Sequence, residues 1–92
     1  MKGFVEDEVM KILEGYIRIG LGEEQEALYL MNRLLKSNES SYEAYLIKAQ
    51  ALMALNMKEA SDSLNSAEEY SVGTEDEEYV RQTVNRLREG LK

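Results

Sequence analysis

The 92 residues suffice for one domain, near the lower end of what folds alone, since short chains bury a smaller share of their surface. The chain has no Cys, no His and no Pro, and its formal net charge is −7. That composition excludes disulfides, thiol or imidazole catalysis and most transition-metal sites, and disfavours nucleic acid and anionic membranes, which need clustered Lys and Arg.

Met1-Lys2-Gly3-Phe4-Val5-Glu6-Asp7-Glu8 turns acidic where a signal peptide would have its apolar core. No run approaches the roughly eighteen apolar residues of a membrane span. A cytoplasmic, soluble protein without membrane insertion is expected. With no Pro, helices are the default.

The first helix is predicted from about Val5 to Ile19. On a helical wheel Val5, Val9, Met10, Ile12, Leu13, Tyr16, Ile17 and Ile19 cover about half the circumference, opposite Asp7, Lys11, Glu14 and Arg18. That face is wider than one packing seam needs. Gly20-Leu21-Gly22 ends the helix. A second helix runs from about Glu23 to Lys36, with Ala27, Met31, Leu34 and Leu35 as its inner stripe. Ser40-Ser41-Tyr42-Glu43 reads as a capping box opening a third helix, with Ser40 as the cap. This helix continues to about Leu55 and is apolar nearly all round, which places it at the centre of the domain. Asn56-Met57-Lys58-Glu59 is predicted to cap a fourth helix with the stripe Met57, Ala60, Leu64 and Ala67. Its back, Lys58, Ser61, Asp62, Ser63, Asn65, Ser66 and Glu68, should face water. Thr74-Glu75-Asp76-Glu77 is a third box, opening a fifth helix with Tyr79, Val80, Thr83, Val84, Leu87 and Leu91 on one side. Arg81, Arg86, Arg88 and Lys92 follow the acids of this last helix, as its dipole prefers.

The second and fourth helices repeat each other. Glu26, Ala27, Met31, Asn32 and Leu34 stand 33 residues before Glu59, Ala60, Leu64, Asn65 and Ala67, and the small residues Gly15 and Ala49 are 34 apart. A small residue, then Ala, then a large apolar residue four further on, resembles the tetratricopeptide (TPR) repeat. The expected fold over residues 1–92 is all-α, a TPR-like stack of two antiparallel helical hairpins plus a C-terminal capping helix. Two repeats are few for a stable stack. The fifth helix can cover the second hairpin, which leaves the first helix for a partner.

Carboxylate pairs such as Glu23/Glu24, Glu68/Glu69 and Glu75 to Glu78 sit at helix ends or on wet faces. Thr74-Glu75-Asp76-Glu77-Glu78 lacks the alternating ligands and central Gly of a calcium loop, and no Gly-rich phosphate loop occurs. The reading is a binding protein, not an enzyme, with no cofactor and no metal.

Val84-Asn85-Arg86-Leu87-Arg88-Glu89-Gly90-Leu91-Lys92, after a TPR-like body in a small acidic chain, resembles the end of the YscG/PscG chaperones of type III secretion systems. Tyr45-Leu46, the Leu55-Asn56 turn and Ser63-Leu64-Asn65 are similar too, so the resemblance spans roughly residues 45 to 92. It implies a cytoplasmic chaperone in virulence, whose groove holds the amphipathic C-terminal helix of a needle subunit and prevents its premature polymerisation. A second small helical co-chaperone would dock on the N-terminal part, giving a hetero-oligomer. In TPR-like folds the first helix of each hairpin lines the concave side. Transferred here, that names Val9, Ile12, Tyr16, Ile19, Leu46, Gln50, Met53 and Tyr79 as the partner-helix groove. Two other readings stay open: a TPR-like adaptor for another helical peptide, and a structural protein that pairs with copies of itself.

Overall fold

The computed structural model describes the backbone of residues 2–56 and 58–91, and side chains from residue 8 onward. Among these residues the chain forms five α-helices and no strand: α1 (Lys2–Gly20), α2 (Glu24–Ser37), α3 (Tyr42–Ala54), α4 (Ala60–Ser71) and α5 (Glu77–Glu89). Each helix packs against the next, and α1 also touches α3. The result is a TPR-like stack of two hairpins and a closing helix, measuring 43 × 31 × 20 Å.

The centre is α3, as its all-round apolar sequence predicts. It divides two cores. Ala44, Ile47 and Ala51 join Ala27, Met31 and Leu34 of α2 in the first, with Ile12 and Ile19 of α1 packed against it. Leu46 and Ala49 join Leu64 and Ala67 of α4 and Val80 and Val84 of α5 in the second. The repeat is visible in burial: Ala27 and Ala60, Met31 and Leu64, Leu34 and Ala67 are all buried, whereas Glu26 and Glu59, Asn32 and Asn65 are all exposed.

Gly15 shows why the repeat needs a small residue. A Cβ built there would stand 2.8 Å from Met31 Cε and 3.2 Å from two carbons of Ile47. Backbone of α1 therefore lies directly against the Met31 and Ile47 side chains, and a side chain at position 15 would force both to shift.

The helix starts differ from the expected boxes, for local reasons. Ser40 donates through its N–H and its hydroxyl to Asn38 Oδ1 at 3.2 and 3.1 Å, which holds it in the turn. The cap of α3 is Ser41, whose Oγ accepts from the Ala44 N–H at 3.3 Å. Asn56 has φ +59 and ends α3 instead of capping α4. Glu59, at the start of α4, makes no side-chain cap bond, and Met57 lies outside the described residues. Before α5, Thr74 Oγ1 accepts from the Asp76 N–H and Glu77 Oε1 accepts from the Gly73 N–H, each one residue earlier than a capping box requires. α1 begins at Lys2 and not Val5.

Two side-chain bridges tie α5 down. The Tyr42 hydroxyl donates to Asp76 Oδ2 at 2.6 Å, and this bond pushes the phenol up to about 12. At the other end Arg88 reaches back to Asn65 Oδ1 and Glu68 Oε1 on α4, at 2.6 and 2.9 Å. Arg88 therefore clips two helices together besides complementing the dipole of its own.

Gly15→Val should destabilise the fold by about 2–3 kcal/mol, because its branched side chain overpacks the α1–α2–α3 junction. Gly20→Ala, which meets nothing within 4 Å, should change stability by less than about 0.5 kcal/mol. Urea titration of both variants checks this pair.

Candidate partner-helix groove

Alternate helices α1, α3 and α5 should line the concave side, and the structure sorts the eight expected residues into three groups. Val9, Tyr16 and Tyr79 keep exposed surface, from 39% for Tyr16 to 61% for Tyr79. Ile12, Gln50 and Met53 are half-buried. Met53 Cε stands 3.2 Å from the place a Cβ on Gly90 would take, so Met53 reaches from α3 to the end of α5.

Leu46 is not a groove residue: it is 1% exposed, inside the second core. Ile19 is half-buried, as Ile12 is, and packs against the first core from α1. A helix apolar on every side offers no sequence mark for which apolar residues face a cavity and which face a neighbour. Ile12 belongs partly to both, packing on the first core while lining the groove.

The open space itself is a groove of about 300 Å³ between α1 and the head of α3, lined by Glu8, Val9, Ile12, Leu13 and Glu43. Three of these lie beyond the eight expected residues. Leu13 was legible as part of the wide apolar face of α1. Glu43 was absorbed into a capping box, and Glu8 carried no signal beyond its charge. Glu8 is fixed by Asn38, whose Nδ2 donates to Glu8 Oε2 at 2.7 Å.

The electrostatics here are uniform in sign. Burial, then the neighbouring charges of Asp76 and Glu8, push the Glu43 carboxyl above its ordinary range. Burial also raises the Tyr16 phenol, helped by Tyr79 and Glu43. Among the described residues no group of carboxylates is placed to hold a metal ion.

Around the rim from the groove, α1 keeps its apolar surface open. Val9, Met10, Leu13 and Ile17 are each more than half exposed, and with Tyr16 they form one continuous stripe by the helical period. α2 and α3 cover only the side of α1 that carries Ile12, Gly15 and Ile19.

A second, more open groove lies where Tyr29, Arg33, Lys36, Tyr45 and Lys48 meet. Tyr45 stacks on Tyr70 with ring centroids 5.6 Å apart. Ser63, expected in water on the back of α4, is only 5% exposed and shares a depression with Tyr45 and Lys48. A small polar side chain can sink against a neighbouring helix where a charged one cannot.

In comparisons with known proteins, no family model, no curated protein and no solved structure matches this chain. Among the described residues, no helix is long and apolar enough to cross a membrane.

The Glu43 environment has a consequence for pH. A carboxyl held higher in the folded than in the unfolded state destabilises the fold where it is ionised, and that penalty vanishes once pH falls below both values. Glu43→Gln should therefore stabilise the protein near pH 7, by an amount on the order of 0.5 kcal/mol for a partly solvated group. The gain should fade as pH drops through and below the ordinary carboxylate range. Thermal melts of both proteins across that range check it, and an equal gain at every pH would contradict it.

Proposed function

We propose that this protein is a helix-binding module that shelters an amphipathic segment of a partner chain. The observation that supports it is the open apolar stripe of α1, Val9, Met10, Leu13, Tyr16 and Ile17, beside a groove at the head of α3. A small domain gains nothing in stability from leaving such a surface in water, and contiguous exposed apolar surface marks an interaction site. An amphipathic helix meets it through anchors at i, i+3/i+4 and i+7.

The finer reading rests on the resemblance to YscG/PscG chaperones. On it the cargo is the C-terminal helix of a secretion needle subunit, held in the cytoplasm against premature polymerisation, and the outer part of the α1 stripe receives a small co-chaperone. Without that resemblance the same surface describes a TPR-like adaptor for another helical peptide.

The two separate in a titration with the C-terminal peptide of the needle subunit from the same host. The chaperone reading predicts binding that Leu13→Asp weakens by roughly a hundredfold, since an unpaired carboxylate then faces an apolar helix. Leu13 is more than half exposed, so the variant should stay folded, as circular dichroism would confirm. Ile12→Asp is unsuitable because Ile12 also supports the first core. Ser61→Glu, on the exposed back of α4, should bind as the wild type does. If the needle peptide fails to bind while an unrelated amphipathic helix binds, the cargo assignment is wrong and the adaptor reading stands.

A further inference from the structure

The occupant of the groove can be specified further by charge and direction, on the basis of the helix-binding reading above. Glu8 of α1 and Glu43 of α3 line the groove, and Asp76 at the head of α5 is close enough to raise the Glu43 carboxyl. Two of the three acids already have neutral partners: Glu8 accepts from Asn38, and Asp76 from Tyr42. Neither partner neutralises charge. Among the described residues the ion pairs join Arg18 to Glu14 and Glu23, Arg81 to Glu78, and Arg88 to Glu68, so none compensates this corner. Lys11 follows Glu8 by three residues on α1, a neighbour by the helical period, but it forms none of the ion pairs among the described residues. The apolar groove thus ends in a partly desolvated negative corner built by the second turn of α1, the first turn of α3 and the cap of α5.

We propose that the groove receives an amphipathic helix with Lys or Arg in its last turn, seated against Glu8 and Glu43 and running antiparallel to α1. The direction follows from the dipole. Cations are favoured at a helix C-terminus, and the acidic corner lies near the start of α1, so the incoming C-terminus meets that start. Arg86 lies two turns after Tyr79 on the same side of α5 and is exposed, which suits an acidic first turn at the other end. Within this chain α5 itself has acids first and bases last, but its stripe of Val80 and Val84 is buried in the second core, so a second copy does not present it.

The test uses two synthetic helical peptides of about eighteen residues with one shared apolar face of Leu at i, i+3, i+4 and i+7. One carries Lys in its last turn and the other Gln at the same positions. Fluorescence anisotropy should show the Lys peptide binding the wild-type protein about tenfold more tightly at low salt, an advantage that shrinks at high salt. The Glu8→Gln/Glu43→Gln double variant keeps the acceptor for Asn38 and should bind both peptides alike. Equal binding of the two peptides to the wild type, or a preference that survives in the double variant, would overturn the charge assignment and leave the helix-binding reading intact. Failure of both peptides to bind would overturn both.

Discussion

Everything in this fold depends on α3 being buried on two sides at once. A helix that surrenders both flanks has to approach its neighbours closely, and its small residues allow that: Ala44 and Ala51 meet α2 on one flank, Ala49 meets α4 and α5 on the other. Gly15 performs the same service from α1, laying backbone against Met31 and Ile47. Large side chains then fill the remaining space in pairs, Met31 with Ile47 and Leu46 with Leu64. Loss of close approach on either flank would expose a core to water, so the two hairpins are coupled through one shared wall and not merely joined by a loop.

The two helices at the ends of this wall differ in how they are covered among the described residues. α5 closes the second core and is fastened by Tyr42–Asp76 and by Arg88. No helix among the described residues plays this part for α1. Its inner side reaches α2 and α3 through Ile12, Gly15 and Ile19, and the rest of its apolar circumference stays open. Stacked repeats need a polar outer face at each terminus; among the described residues α5 presents one and α1 does not. The wide apolar wheel of α1 is thus a surface with two roles, inner packing and outer recognition, divided at Ile12.

How much of this could be seen in the sequence varies with the kind of interaction. The five helices and the equivalence of Ala27 with Ala60 and of Met31 with Leu64 were legible, because helical period and repeat spacing act over many residues and reinforce one another. Helix starts were not, because they turn on competition between single side chains: Asn38 captures Ser40 and hands the cap to Ser41, while Asn56 takes a left-handed conformation and stops α3. Leu46 could not be separated from groove residues, since α3 is apolar on every side. Ser63 misled because a wheel records polarity, and its burial depends on size. Glu43 was readable only as a cap residue. Its position beside Glu8 and Asp76 arises from three helices distant in sequence, which no local pattern encodes.

The claim that α3 is the shared wall and α1 the recognition helix is tested most directly by amide hydrogen exchange, with and without an amphipathic helical peptide. In the free protein α3 should exchange slowest and α1 faster, since buried contacts set local opening energies. Added peptide should slow α1 and the head of α3 and leave α2 and α4 unchanged. Protection of α1 equal to that of α3 in the free protein, or slowing confined to α2 and α4, would contradict the account.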